Sequence, residues 1–187
     1  MAERPILFNG AMVRAILTGR KTQTRRAVKG EALEWLGISK FGPEYVATPG
    51  NDLCPFGHPG DRLWVRETWT NAWDEERNQW TDPERYHYRA DGIEAAHVDG
   101  MGRSPWIPSI HMPRRACRLV LEITDVRVER LQAISEADAR AEGVDPEMPD
   151  ECALAFDRLW TSINGPASWP SDPWVWVIEF KRVEVGK

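Results

Sequence analysis

Long apolar runs are missing from this chain, and so are any CxxC pair, any internal repeat and any excess of positive charge. Without roughly 20 consecutive apolar residues there is no candidate membrane-spanning helix. The start, MAERPILFNG, carries an early acidic residue and no apolar stretch, which argues against a signal peptide. The three cysteines, Cys54, Cys117 and Cys152, are scattered, as suits a reducing compartment rather than a disulfide framework, so the expected location is cytoplasmic. A formal net charge of −5 excludes a general positive field over the surface, so any contact with nucleic acid must be local.

What the chain has in plenty is tryptophan, ten residues of it. Most belong in a core, and so many leave several for a binding face or a stacking platform. At 187 residues, 42% hydrophobic and 28% charged, the chain has the size and makeup of one folded domain.

Asn9 is placed to cap a helix whose Met12, Val13, Ile16 and Leu17 share one face, and Gly19 sits where it would end. Residues 29–59 are rich in Gly and Pro and read as a long loop insertion; a second insertion, polar and tryptophan-bearing, spans about 71–113. Between them RLWVRETW predicts a strand. In RLVLEITDVRVERL the apolar positions change parity from Leu121 and Ile123 to Val126 and Val128, which predicts a bulge near Thr124 and Asp125.

Ser135 with Asp138 resembles a capping box for a helix that Gly143 closes just beyond Glu142. Asp150 is expected to cap a second helix carrying Phe156, Leu159, Trp160 and Ile163 on one stripe. The final WVWVIEFKRVEV reads as a strand. Strands with helices inserted between them give an α+β class, and the bent long strand suits a small barrel.

The stretch TGRKTQTRR, residues 18–26, crowds Arg20, Lys21, Arg25 and Arg26 around two threonines and a glutamine. A solvated basic loop is one reading; a pocket for an anionic or nucleotide-like ligand is the other. Gly19, Lys21, Thr24 and Arg26 spell G-x-K-x-x-T-x-R, and this is followed in order by PGDRLWV, the long strand, a helix ending in AEG and a last strand with VIEFKR. In these features the chain resembles the ASCH domain of the PUA-like superfamily, in the form that phages and prophages carry.

That resemblance covers most of the chain and implies a single domain over residues 1–187: a small, bent PUA-like barrel with inserted helices and long loops. It implies as partner a modified nucleoside or single-stranded nucleic acid. It implies three activities as well: reading of RNA or modified bases, removal of the acetyl group from N4-acetylcytidine by an amidohydrolase, and ribonuclease action. A role in phage assembly, with the tryptophan-rich loops as contact surface, is a further alternative. In the amidohydrolase type a lysine accepts the proton, a threonine is the nucleophile and a glutamate is the proton donor; these roles fall on Lys21, Thr24 and Glu142.

The chemistry needs an amine that loses its proton readily, since a threonine hydroxyl is inert without a base. Arg20, Arg25 and Arg26 are expected to lower the Lys21 pKa and to bind substrate, Arg26 by clamping a phosphate or by pairing with an acid inside the barrel. Glu142 is expected at the negative end of its helix and coupled to Lys21. In a regular strand Lys21 and Thr24 would face opposite sides, so a turn or bulge is expected between them.

Cys54 and His58, with His87, His97 and His111 downstream, show no ligand spacing, so neither a metal nor another cofactor is expected. Asp61 and Arg62 read as turn and strand-entry residues. Trp69, Trp73, Trp80 and Trp106 suit stacking on a base or packing of a loop. Arg114, Arg115 and Arg118 form a second basic cluster that would extend a groove or simply face solvent.

Overall fold

A computed structural model describes residues 1–71, 73–74, 79–80, 86–92, 106–145 and 150–183. Its elements in chain order are β1 (Glu3–Leu7), α1 (Gly10–Leu17), β2 (Gln23–Ala27), α2 (Glu31–Leu36), α3 (Pro43–Ala47), β3 (Arg62–Arg66), β4 (Trp69–Asn71), β5 (Trp73–Asp74), β6 (Gln79–Trp80), β7 (Tyr86–Tyr88), β8 (Val120–Arg130), α4 (Glu136–Ala141), α5 (Cys152–Asn164) and β9 (Trp174–Val183). The two long strands β8 and β9 pair antiparallel along their length, and their register shifts between Ile123 and Asp125. This is the expected bulge. It lets Leu121 and Ile123, then Val126 and Val128, all be buried although their parity differs.

The main sheet has the order β1-β3-β8-β9-β2, with β1 and β3 parallel and the other pairs antiparallel. Its apolar β9 run is covered on both faces: Trp176 and Ile178 join the cluster of Ile6, Phe8, Val13 and Ile16, whereas Val175 and Val177 join Leu131, Phe156 and Trp160. The α+β class with a bent sheet matches the expectation. The ring, however, is not hydrogen-bonded shut: among the described residues β1 and β2 remain the two edges, and an Arg26 Nη2 donating to the Leu7 carbonyl at 2.8 Å spans them. The sheet is therefore open rather than a closed barrel.

Local signals account for the helix starts. Asn9 Oδ1 accepts from Met12 N at 2.9 Å, and Ser135 Oγ accepts from Asp138 N at 3.1 Å. The expected Asp150 cap is not used. Instead, the Glu136 carboxylate reaches across from α4 and accepts from Cys152 N at 2.8 Å and Ala153 N at 3.2 Å, tying the two helices together. Glu136→Ala is accordingly expected to destabilise the protein by about 1 kcal/mol in urea denaturation, and Asp150→Ala to leave it within about 0.5 kcal/mol.

The 29–59 segment is less irregular than its composition suggests. It contains α2 and α3, which bury Ala32 and Val46 and stack Trp35 on Tyr45 with ring centroids 5.7 Å apart. Helices of five or six residues are too short to show a period. In the 71–113 region β5 pairs with β6 and β4 with β7, while His97 and the side chains of Trp73 and Trp80 lie outside the described residues. Trp69 is buried edge-on against Tyr86 at 5.5 Å, so it packs. No helix among the described residues is long and apolar enough to cross a membrane.

Candidate functional site

The basic stretch starts where α1 stops. Gly19, at a φ of +75°, turns the chain so that Arg20 N and Lys21 N both donate to the Ala15 carbonyl, at 2.9 and 3.0 Å. Lys21 then forms an isolated bridge with Glu142 rather than a strand residue, and β2 begins only at Gln23. Thr22 is the exposed hinge, with its N–H on Ala141 O and its carbonyl on Phe180 N, both at 2.9 Å. This break supplies the irregularity that the Lys21 and Thr24 spacing demanded.

Lys21 ends with its side chain wholly buried. Its Nζ donates to Glu142 Oε2 at 2.8 Å, to Glu142 O at 2.9 Å and to Gln23 O at 2.7 Å, which occupies all three ammonium hydrogens. Burial pushes the amine below its ordinary pKa, the Glu142 carboxylate pulls it back, and Arg26 and Arg25 add smaller downward pushes. The direction is the expected one, but the main cause is desolvation rather than crowded cations.

The arginines have separate fates. Arg20 stands outside on the surface, 3.9 Å from Asp145, and is not among the main influences on the Lys21 pKa. Arg25 is fully buried: Nη1 donates to Glu142 Oε1 at 3.3 Å, and Nη2 donates to Glu129 Oε2 at 3.1 Å beside Asp138 at 3.7 Å. Both terminal nitrogens are thus held by the protein's own acids. Glu129 and Asp138 are shared in turn with Arg127, at 2.6 and 2.9 Å. Arg26 lies over the Phe8 ring, 5.2 Å from its centroid, and is bound to Leu7 O.

Glu142 caps α4 and is almost fully buried, its two oxygens divided between Lys21 and Arg25. Thr24 is buried on the edge strand. It lines a cavity of about 60 Å³ together with Met12, Arg25, Glu142 and Trp160. Two larger depressions adjoin this cavity. One of about 350 Å³, sharing Met12 and Glu142, carries Arg14 and Arg20; the other, of about 630 Å³, shares Met12 and Arg26 and is walled by Ile6, Phe8 and Phe56. Thr24, Arg25, Arg26 and Glu142 thus line one cavity, Lys21 is joined to it through Glu142, and Arg20 lies on the neighbouring depression.

Met12 and Trp160 were read from the sequence only as members of helical stripes, because a lining residue looks no different from a core residue in a periodicity. A second buried charge cluster was missed outright. Glu67 is buried and accepts from Arg118 at 2.8 and 3.0 Å, while Arg118 also binds Asp91 at 2.8 Å and lies 3.9 Å from the Tyr88 ring centroid. Burial raises the Glu67 pKa and Arg118 opposes it. The signal was present: Glu67 has the same parity as the buried Leu63 and Val65. Arg114 binds Glu3 at 2.7 and 2.8 Å, so two of the three arginines in the downstream basic cluster are matched to carboxylates.

No family model matches the chain, and no curated protein matches it. Solved structures do. A DUF984 protein from Enterococcus faecalis V583 is similar over 100% of this chain and 83% of its own, at 13% identity and a TM-score of 0.45. An ASCH domain from Lactobacillus crispatus JV V101 is similar over 98% of this chain and 81% of its own, at 14% identity and a TM-score of 0.43. Likenesses of this size say nothing of chemistry, which is read from the side chains themselves.

Proposed function

We propose that the chain recognises a nucleobase or modified nucleoside and hydrolyses an amide on it, with N4-acetylcytidine as the representative substrate. The observation that supports this reading is the buried pairing of Lys21 Nζ with Glu142 Oε2 at 2.8 Å, at the edge of a cavity that Glu142 and Thr24 line together. The neighbouring depressions, about 350 and 630 Å³, have the size of small-ligand pockets, and the smaller cavity of about 60 Å³ has room for an acyl group.

Lys21 and Glu142 are 2.8 Å apart, so one proton moved along that hydrogen bond gives a neutral amine and a carboxylic acid. Burial lowers the Lys21 pKa, which favours the neutral amine that the reaction needs as its base. The Thr24 hydroxyl adds to the acyl carbon as its proton passes to the Lys21 amine, which must release one of its acceptors to receive it. The C–N bond then breaks, the nitrogen taking its proton from Glu142. Water cleaves the resulting threonine ester and releases the carboxylic acid, so that amide and water become acid and amine.

One observation favours a second reading, a reader without catalysis: the three hydrogen bonds of Lys21 leave its ammonium fully engaged. Acetate release from N4-acetylcytidine decides between them. Turnover by the wild type that falls at least about 10³-fold in Thr24→Val at unchanged stability supports hydrolysis. No turnover, with saturable and salt-dependent binding of an intact RNA oligonucleotide, supports the reader, and a cleaved oligonucleotide would point to a ribonuclease.

A further inference from the structure

Arg14 and Arg20 both line the depression of about 350 Å³ that shares Met12, Glu142 and Leu159 with the cavity beside Thr24. Both side chains are exposed, yet each is set in place by a neutral acceptor: Arg14 Nη1 donates to the Ala90 carbonyl at 3.2 Å and Arg20 Nε to Thr18 Oγ1 at 3.3 Å. A guanidinium is a fork of N–H donors, so one such bond leaves most of them and the whole positive charge unanswered. The acids nearby do not answer it. Glu142 has both oxygens committed to Lys21 and Arg25, and Asp145 stands 3.9 Å from Arg20 with its side chain 92% exposed. No carboxylate among the described residues pairs with Arg14, whose acceptor is the backbone. In a chain of net charge −5, where Arg25, Arg114, Arg118 and Arg127 all hold close carboxylates, two under-matched arginines on one concave face concentrate positive potential there.

We infer that this depression takes a phosphate, so that the nucleoside site proposed above, on which the inference rests, is a nucleotide site whose ligand is a cytidine-type base on a phosphorylated ribose. Phosphate is the anion that such a ligand carries, and its terminal oxygens match the planar fork of arginine better than the point charge of lysine. Because the two hollows share a wall, one molecule can span them, with its acyl group beside Thr24 and its phosphate beside Arg14 and Arg20. The two arginines also offset the repulsion that an acidic protein exerts on an anionic substrate. Both act as binding residues and touch no reacting atom.

The test compares cytidine 5′- and 3′-monophosphate with cytidine for binding to the intact resting protein by titration calorimetry, and the N4-acetyl forms of all three for turnover. One monophosphate is expected to bind about 10-fold more tightly than cytidine, a gain that shrinks as salt rises and falls to about 2-fold or less in Arg14→Gln and in Arg20→Gln. Both positions are exposed, so the variants keep the fold, and Arg14→Lys, which keeps the charge without the fork, recovers part of the gain. In turnover the gain is expected in KM and not in kcat, because the phosphate is bound alike before and during reaction. Monophosphates that bind no better than cytidine, or a gain that both Gln variants keep, overturn the inference. A gain that depends on the two arginines, without turnover of any acetyl form, keeps the phosphate site and removes the hydrolytic reading. Turnover of N4-acetylcytidine with no gain from either phosphate removes the phosphate site alone. A cytidine trinucleotide that binds as tightly as the better monophosphate, with the same losses in the variants, supports the site and assigns its phosphate to a strand.

Discussion

Glu142→Gln destabilises the protein by about 3–5 kcal/mol, the range for removing one partner of a buried ion pair. The variant keeps the shape of the side chain but leaves the Lys21 ammonium and the Arg25 guanidinium facing a neutral amide, with side chains that are both 0% exposed. No solvent is at hand to replace the lost carboxylate. Glu129→Gln, which also touches Arg25 but at a group 26% exposed, is expected to cost only about 1 kcal/mol. Urea denaturation of the two variants side by side measures the difference, and equal losses would show that the interior does not distinguish the two acids.

The same variant carries a pH signature. Burial sets the folded Lys21 pKa below the ordinary 10.5, so between the two values the unfolded chain binds more protons than the folded one. Stability from this group therefore rises with pH across that window. Losing Glu142 removes the main influence that raises the Lys21 pKa, which widens the window, so the gap between variant and wild type should narrow as pH climbs from neutrality toward 10.5. A gap that stays constant or widens contradicts a buried, proton-poor lysine. For the same reason Lys21→Ala is a poor probe of catalysis: it strands a buried carboxylate and two carbonyls, and any lost activity must be corrected for lost fold.

What the sequence made legible was whatever depends on near neighbours. The Asn9 and Ser135 caps, the turn at Gly19 and the parity change at Thr124 each involve residues within a few positions, and each stands where expected. The partners of the basic stretch do not. Arg25 finds Glu129 and Glu142 at separations of 104 and 117 residues, and nothing local tells an arginine that it will be neutralised inside rather than offered to a ligand. Arg20 and Arg25 look alike in TGRKTQTRR, yet one is solvated and the other buried, because the break at Thr22 changes which side of the chain faces the core. The cap of α5 failed for the same reason: Glu136 outcompetes the adjacent Asp150 from 16 residues away. The Glu142 match was readable because it combined a local signal, the helix end before Gly143, with the ordering of elements that the resemblance supplied.

Gly143→Ala is expected to destabilise the protein by about 2–4 kcal/mol, more than a glycine in a left-handed turn ordinarily commands. Its φ of +77° accounts for about 1 kcal/mol of this, as for any residue with a Cβ in that region. The rest is crowding, since a Cβ at this point would lie 2.7 Å from Lys21 Cβ, 2.9 Å from Ala15 Cβ and 3.2 Å from Lys21 Cα. None of these is the loose end of a flexible chain; they belong to α1 and to the buried start of the basic stretch, so relief requires α4 to move off the lysine, at about 1–3 kcal/mol. Gly19→Ala is the internal control, because its φ is +75° yet no atom lies within 4 Å of the added carbon, and it should lose only the conformational part. Measured together in urea, the difference between the two isolates the contact. If the loss at Gly143 merely equals that at Gly19, the backbone of Glu142 is not pressed against Lys21, and the close approach that aligns amine with carboxylate is not what holds the hollow together. If it exceeds it, the glycine that ends α4 is the reason a helix terminus can come near enough to a buried lysine for one proton to be shared between them.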